Sequence, residues 1–423
     1  MYSIAADQPR QPMIIAQAFS RFAIDLDGVV WRGQTPIPTA PETLEALRSA
    51  GKSLAFVTNN SSSDSDEVTE RLQSFGVTAD SKQVVTSSDA VVSLIEERVP
   101  GARGRLAFVL GGPGLEKAAM RSGMQVADLK RAGDASVVLV GLDQKLSYDR
   151  LRAAVHAVRN GAYLIASNAD PHLPVDDDLW PGTGSILAAV VTATGASPMI
   201  AGKPDPRIFR LAETILGGTP ALAVGDQVTT DVAAAHAAGW SAALVLTGVT
   251  TLASLAVADA WPEFLLRHPG DLLEDLPHGQ VRPASGGDLT PIASLLHRAG
   301  LRSGGARERL GKTVVVEAER GRVLATASVD PVSDSRGVLR SVAVAEGYAG
   351  KGCGTLAVAG ALRLAARTGL SEVFIATESA DGFFAGLGFN EIPRDRLPEQ
   401  VAEHPQISRE CPITAPTMAL ALR

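Results

Sequence analysis

The chain has 423 residues, of which 45% are apolar and 20% charged, so we expect a globular protein with two or three hydrophobic cores. Its 39 basic and 46 acidic residues give a net charge of −7 without a dense basic run, which argues against a nucleic-acid or membrane partner. Cys353 and Cys411 alone provide neither a disulfide framework nor a paired metal motif, and they fit a reducing cytoplasm. Residues 1 to about 18 lack the pattern of an export signal or a membrane helix, and we expect a loose arm there.

The first predicted strand lies in FAIDLDGVVWRG, from Phe22 to Gly33, and ends in two carboxylates, Asp25 and Asp27. Residues two apart in an extended backbone face the same side, so both carboxylates can serve one site. Their mutual repulsion calls for a cation, and a hard divalent ion, most naturally Mg²⁺, fits oxygen ligands. The alternative is a strand that simply ends in a D-x-D-G turn.

Three later stretches favour the site over the turn. LAFVTNNSS is an apolar strand followed by hydroxyl and amide groups, AGKPDP holds an isolated lysine in a loop, and ALAVGDQVTTD is a strand followed by two acids. Hydroxyl, amide and ammonium groups can hold phosphate oxygens, and an acid after a further strand can bind the same ion. The candidate side chains are Thr58, Asn59, Asn60, Lys203, Asp226 and Asp231.

Strands alternate with helical patterns such as TAPETLEALRSAGK and DSDEVTERLQSFG, which predicts an α/β fold with a doubly wound parallel sheet. We expect this Rossmann-like core over residues 1–86 and 196–268, interrupted by an α/β cap at 87–195. A cap over a phosphate site excludes water and selects the substrate. Polar groups at its strand ends, Asp143, Asn168 and Asp170, are candidates for its inner face or are ordinary turn residues.

The pattern changes after a predicted linker at 269–280. Residues 281–423 begin with a short strand, a helix and a hairpin, and they continue into GVLRSVAV and a glycine-rich turn that opens a long helix. Unpaired amides at such a helix start can hold a pyrophosphate. We therefore expect a separate α+β domain.

The motifs DLDGVVWRG, FVTNNSS, PGTGSILAAVVTATG, AGKPDP and GDQVTTD resemble those of haloacid-dehalogenase superfamily phosphatases, over roughly residues 20–250. The likeness is to the subfamily with a large α/β cap, the p-nitrophenyl-phosphatase and glycerol-phosphate-phosphatase type. It implies that Asp25 is the nucleophile and forms an aspartyl phosphate, while Asp27 is the general acid and base. It further implies that Mg²⁺ is bound by Asp25, the main-chain oxygen of Asp27 and Asp226, with Asp231 in support. Thr58, Asn59, Asn60 and Lys203 would hold phosphate oxygens. Thr229 stands where the subfamily often has an acid, which bears on metal affinity.

The C-terminal pattern resembles the Gcn5-related acetyltransferase fold, and ATESADGFFAGLGF with PRDRLP is similar to acetyltransferase-like proteins of arsenic-resistance operons. This resemblance implies acetyl-CoA binding at Val342, Val344, Gly350, Gly352 and Gly354. Two positions depart from the family pattern. Ala349 replaces the Arg or Gln that starts the pyrophosphate loop, and Phe384 replaces a proton-donating tyrosine, which leaves Glu378 as the nearby acid.

These resemblances together predict a cytoplasmic, magnesium-dependent phosphomonoesterase of a small-molecule phosphate ester, with glycerol 3-phosphate as the leading substrate. Phosphoglycolate and nucleotides are the alternative substrates. In a further alternative, the C-terminal domain is an acyl-CoA-binding sensor or an N-acetyltransferase. A second copy of the chain is a further candidate partner, in a homodimer.

Overall fold

A computed structural model describes residues 14–175, 178–275, 280–302, 304–318 and 321–422. The chain forms two compact units. The first comprises Phe19–Gly248 with His268–Gly270, and the second comprises the segment up to Ala18, Val249–Arg267 and the chain from Asp271 onward. None of the described helices is long and apolar enough to span a membrane.

The described α-helices and β-strands are numbered in chain order. The helices are α1 (Ile15–Ala18), α2 (Ala40–Ser49), α3 (Ser65–Ser74), α4 (Ser87–Arg98), α5 (Pro113–Arg121), α6 (Tyr148–Arg159), α7 (Thr183–Thr194), α8 (Arg207–Leu216), α9 (Ala233–Ala237), α10 (Leu252–Val257), α11 (Leu289–Arg298), α12 (Cys353–Arg367), α13 (Asp381–Gly386) and α14 (Glu399–Ala402). The strands are β1 (Arg21–Asp25), β2 (Trp31–Arg32), β3 (Thr35–Pro36), β4 (Ser53–Thr58), β5 (Val84–Thr86), β6 (Leu106–Leu110), β7 (Gln125–Val126), β8 (Val137–Val140), β9 (Tyr163–Ala166), β10 (His172–Val175), β11 (Asp178–Pro181), β12 (Met199–Ile200), β13 (Leu222–Gly225), β14 (Ser241–Val245), β15 (Phe264–Leu266), β16 (Gln280–Pro283), β17 (Thr313–Glu317), β18 (Val323–Pro331), β19 (Arg336–Val344), β20 (Glu372–Ala376), β21 (Asn390–Glu391) and β22 (Thr417–Ala421).

The core of the first unit is a parallel arrangement of strands in the order β14, β13, β1, β4, β5. Ile24 of β1 lies opposite Val224 of β13 on one side and Phe56 of β4 on the other. Nearly every residue of these strands is buried, because helices cover both faces of such a sheet. The predicted α/β fold class with a parallel, Rossmann-like sheet is therefore confirmed.

A second parallel sheet in the same unit has the order β12, β9, β8, β6, β7. One face packs with apolar residues of α6 and α7, and the other with those of α4 and α5. This sheet occupies the region expected to be the cap. It also includes β12, which lies beyond the expected cap boundary at residue 195.

The second unit is built on a seven-stranded sheet in the order β16, β17, β18, β19, β20, β22, β21. All neighbouring strands are antiparallel except β19 and β20, which run parallel. Helix α12 packs on this sheet at Gly360, where an added Cβ would lie only 2.2 Å from Cγ1 of Val281. The mixed sheet agrees with the predicted α+β domain.

Two segments near the expected domain boundaries have contacts of their own. By its contacts Val249–Arg267 groups with the second unit, where Arg363 of α12 donates to the carbonyl oxygen of Ala258 at 2.8 Å, and the expected core boundary at residue 268 stays a prediction. The described part of the expected N-terminal arm is not loose: it forms α1, in which Ile15 is fully buried. Residues 1–13 lie outside the described ranges.

The expected linker begins with a short helical turn. Pro269–Leu273 forms a 3₁₀ turn with Asp271 and Leu272 buried, and residues 276–279 lie outside the described ranges.

Candidate active site and C-terminal cavity

The candidate active site lies at the carboxyl ends of three neighbouring core strands. Asp25 ends β1, Thr58 ends β4, and Asp226 follows β13 directly. The three side chains are buried. Because the carboxyl ends of parallel strands meet at one edge, the fold converts three distant motifs into one site.

Lys203 joins this site from the loop after β12. Its Nζ donates to Oδ1 of Asp25 and to Oδ1 of Asp231, each at 2.6 Å, and only 2% of the residue is exposed. Burial alone would lower the pKa of Lys203, but the charges and hydrogen bonds of Asp231 and Asp25 raise it well above its ordinary value. The ammonium group is therefore held in its charged form between two acids.

The acids form a cluster that fits a divalent cation. Oxygen atoms of Asp25, Asp226 and Asp231 all lie within 4.8 Å of one another. When all three acids are ionised, their carboxylates and the Lys203 ammonium together carry a formal charge of −2. Burial raises the pKa of Asp25 well above its ordinary value, Lys203 opposes this, and the nearby Asp231 and Asp226 add to it. A hard cation with oxygen ligands would relieve this repulsion.

The local backbone places the two later acids. Val228–Val232 forms a π-helical turn, in which the amide of Val232 donates to Gln227 across five residues at 3.4 Å. This turn brings Asp231 into the cluster itself, whereas the resemblance implied only a supporting position. Its Oδ2 also accepts from the amide of Gln227 at 3.0 Å.

Asp226 lies against backbone on two sides. A Cβ added at Gly28 would lie 2.3 Å from Oδ2 of Asp226, and one added at Gly248 would lie 1.8 Å from it. Gly28 also has φ +81°, which disfavours other residues.

Asp27 lies outside the acid cluster and is accessible to solvent. Its Oδ1 accepts from Nε1 of Trp31 at 2.9 Å, and the guanidinium of Arg71 lies 4.1 Å from the centre of the Trp31 ring. Displacement of water by the surrounding protein raises the pKa of Asp27, while the Trp31 bond, Arg71 and Lys203 oppose the rise. A carboxyl group with a raised pKa suits a proton donor. The sequence reasoning missed Trp31 and Arg71; the spacing of four residues between Asp27 and Trp31 was the available signal.

The polar loop after β4 has a different internal arrangement from the one expected. The Asn59 side chain accepts from the amide of Lys203 at 2.8 Å and donates to the Lys203 carbonyl and to Oδ2 of Asp170, each at 3.1 Å. Asn60 accepts from the amide of Ser62 at 2.9 Å. These amides therefore shape the loops around Lys203, and the Thr58 hydroxyl, which accepts from the Asn60 amide at 3.0 Å, ends the strand beside them.

The other candidate residues of the cap divide into two groups. Asn168 donates to the carbonyl of Asn59 at 2.8 Å, and Asp170 contacts the Asn59 side chain, so both meet the active-site loop. Burial is the main cause that raises the pKa of Asp170. Asp143 instead pairs with Arg150 at 2.9 Å within the cap region.

The second unit contains a cavity of about 650 Å³. Strands β19 and β20 pair only from Arg336 to Val338, and the cavity opens where they diverge. Ala349, Glu378 and Phe384, the positions that bear on acetyl transfer, also line it. The candidate CoA-binding residues lie together in its wall: Val342, Val344, Gly350, Gly352 and Gly354.

Family models match three segments of the chain. Residues 22–125 match the haloacid dehalogenase-like hydrolases, residues 200–272 match a HAD-hydrolase-like model, and residues 291–389 match the acetyltransferase (GNAT) family.

Two curated relatives match about three fifths of the chain, and one solved structure matches most of it. The acid sugar phosphatase of Staphylococcus aureus is 34% identical over 260 residues, which are 61% of this chain and 98% of that protein. Human chronophin is 37% identical over 271 residues, 60% of this chain and 91% of that protein. A crystal structure of glycerol phosphate phosphatase from Mycobacterium tuberculosis in complex with magnesium has a TM-score of 0.65 at 28% identity, and the match covers 88% of this chain and 97% of that one. From these matches and the arrangement of the site, the chain belongs to the haloacid dehalogenase-like hydrolases and carries a C-terminal domain of the GNAT acetyltransferase family.

Proposed function

We propose that the first unit is a magnesium-dependent phosphatase of small phosphorylated metabolites, with glycerol 3-phosphate as its main substrate. The observation that carries the proposal is the buried cluster in which Lys203 bridges Asp25 and Asp231 beside Asp226. The predicted enzyme class, a phosphoric monoester hydrolase, is confirmed by relatives that are acid sugar and glycerol phosphate phosphatases. The magnesium complex of the M. tuberculosis protein supports the choice of ion, and its substrate supports glycerol 3-phosphate.

Asp25 is the nucleophile in this proposal. Its carboxylate oxygen bonds to phosphorus while the bond from phosphorus to the ester oxygen breaks, and Asp27 donates its proton to the leaving alkoxide. Water then attacks the aspartyl phosphate, Asp27 takes a proton from that water, and the bond between Asp25 and phosphorus breaks to release phosphate. Asp27 suits both roles because its carboxyl group is accessible and has a raised pKa.

The rest of the site stabilises charge. Lys203 and the Thr58 hydroxyl would hold oxygens of the transferring phosphoryl group, since Lys203 bonds to the nucleophile and Thr58 ends the strand next to it. Asp25 and Asp226, with Asp231 near them, would hold Mg²⁺, which offsets the repulsion between an anionic nucleophile and an anionic phosphate when bound. Asn59 would act by fixing the Lys203 loop, through its bonds to the Lys203 backbone.

The test is phosphate release by the full chain from a panel of esters: glycerol 3-phosphate, 2-phosphoglycolate, sugar phosphates and nucleoside monophosphates. Each is measured with Mg²⁺ and with a chelator. We expect the highest kcat/KM for glycerol 3-phosphate and loss of turnover with the chelator. A preference for another ester would overturn the substrate, and undiminished turnover with the chelator would overturn the metal.

A second function is favoured by the C-terminal cavity. We propose that it binds an acyl-CoA, because the glycine-rich loop that opens α12 lies in the cavity wall with Gly350 and Gly352 at positive φ. Phe384 cannot donate a proton and Glu378 is exposed, so transfer would depend on Glu378 or water. Calorimetric titration of the full chain with acetyl-CoA tests binding, and adding acetyl-CoA to the phosphatase assay tests regulation.

A further inference from the structure

Arg267 lies in the wall of the C-terminal cavity, although it precedes the segment that matches the acetyltransferase family. We infer that Arg267 supplies the cationic contact for the diphosphate of an acyl-CoA, because residue 349 is alanine and the lysine of the loop, Lys351, packs over the Tyr348 ring and does not line the cavity. This inference rests on the proposed acyl-CoA binding.

The guanidinium of Arg267 is held in place by one acid. Its Nε donates to Oδ2 of Asp271 at 3.0 Å and its Nη2 to Oδ1 at 2.5 Å, in a bidentate pair. The backbone amide of Arg267 also donates to Oδ2 at 2.8 Å. The Asp271 side chain is 1% exposed, whereas that of Arg267 is 36% exposed. The acid is therefore an internal anchor, and the outer edge of the guanidinium is left accessible.

The same guanidinium contacts the glycine-rich loop. Nη1 of Arg267 donates to the carbonyl of Gly350 at 2.5 Å. Three of the five N–H donors of the guanidinium take part in these bonds among the described residues, and two are left for ligand oxygens. The loop leads into α12, a helix of 15 residues whose first amides and dipole favour an anion at the same place.

Two buried polar residues in the cavity wall independently indicate a ligand. Arg340 and Gln406 line it and are only 7% and 9% exposed. Within the described part of the chain, Nε of Arg340 and Oε1 of Gln406 have no hydrogen-bond partner. Buried polar atoms without partners cost stability, and a bound molecule can satisfy them.

A purely structural role for Arg267 makes a different prediction. If it only clamps the loop through Gly350, removing it lowers the affinity for every ligand of the cavity alike. If it contacts the diphosphate, the loss is confined to ligands that carry this group.

The experiment compares acetyl-CoA with S-acetylpantetheine, which keeps the acyl arm and lacks the diphosphate, by calorimetric titration of the full chain. The variants are Arg267→Gln, Arg267→Lys and, as matched control, Arg367→Gln. Arg367 is exposed at the far end of α12, about 21 Å from the helix start. Thermal melting of each variant reports its fold.

We expect Arg267→Gln to weaken acetyl-CoA binding by about 10- to 100-fold, the effect of losing a charge-assisted hydrogen bond, and to leave S-acetylpantetheine unchanged. Arg267→Lys keeps the positive charge but loses the bidentate guanidinium, so its affinity for acetyl-CoA should lie between those of the parent chain and Arg267→Gln. Arg367→Gln should have the affinity of the parent chain. Equal loss for both ligands, or no loss for acetyl-CoA, overturns the role of Arg267. Absence of acetyl-CoA binding to the parent chain instead overturns the proposed acyl-CoA function.

Discussion

Replacement of Lys203 by methionine tests the electrostatic design of the phosphatase site. Methionine has nearly the same length and no charge, so the change removes the ammonium between Asp25 and Asp231 and little else. Breaking a buried ion pair by removing one partner costs about 3–5 kcal/mol of unfolding free energy. We expect Lys203→Met to lose an amount in this range at pH 8, and to lose at least about 100-fold in kcat/KM.

The loss should depend on pH with a defined sign. Burial already raises the pKa of Asp25, and without Lys203 nothing opposes that rise. A carboxyl group whose pKa is raised on folding binds a proton more tightly in the folded chain, so stability increases as the pH falls toward the ordinary aspartate pKa of about 3.9. The deficit of Lys203→Met is therefore smaller at pH 5.5 than at pH 8. Added Mg²⁺ should also reduce it, since the ion returns positive charge to the cluster.

The assay is urea unfolding of the parent chain and the variant at both pH values, with Mg²⁺ and with a chelator. Lys145→Met, a change at an exposed lysine, is the control for loss of one positive charge. The reasoning is refuted if Lys203→Met unfolds at the parent midpoint, or if its deficit is the same at both pH values and with both additives.

Three further changes test other parts of the molecule. Asp25→Asn should lower phosphate release by several powers of ten, because an amide is a poor nucleophile. The urea midpoint should stay near that of the parent chain, because the amide is isosteric and Lys203 keeps its bond to Asp231; near-normal turnover in a phosphate-release assay would disprove the assignment. Asp226→Asn should raise the Mg²⁺ concentration for half-maximal activity, and an unchanged Mg²⁺ titration would remove this residue from the metal site. Asp288→Asn should cost about 1–3 kcal/mol at pH 7, because hydrogen bonds from Arg282 lower the pKa of Asp288. That contribution is present above the ordinary aspartate pKa and fades as the pH falls through the lowered one, so urea unfolding should show a smaller deficit at pH 3, and an equal deficit there would contradict it.

The sequence was sufficient to predict the convergence of the phosphatase motifs. Each motif follows an apolar strand, and the rule that carboxyl ends of parallel strands meet brings Asp25, Thr58 and Asp226 to one edge. The rule does not specify which side chains then bond to each other. Asn59 turns to the backbone of Lys203, 144 positions away, and no local pattern records such a contact.

The division of the chain was harder to predict for the same reason. The stretch from Val249 to Arg267 is short and weakly patterned, so its apolar residues fit either core. Its grouping with the second unit depends on contacts with α12, including the four carbonyl oxygens between Leu255 and Ala260 to which Arg363 donates. The role proposed for Arg267 could not be inferred from the sequence because the loop that it contacts lies 83 positions later.

The close approach of backbone to Asp226 has a consequence for mutational tolerance. Gly28 and Gly248 carry no chemistry, yet a single methyl group at either would occupy the space of the Asp226 carboxylate. These two glycines lie 220 positions apart along the chain. In a saturation scan selected for phosphatase activity, we expect both positions to accept only glycine, just as the positions of the catalytic acids accept only their own residues. The set of essential residues therefore includes two glycines without chemistry of their own, because the Asp226 carboxylate needs the space beside them.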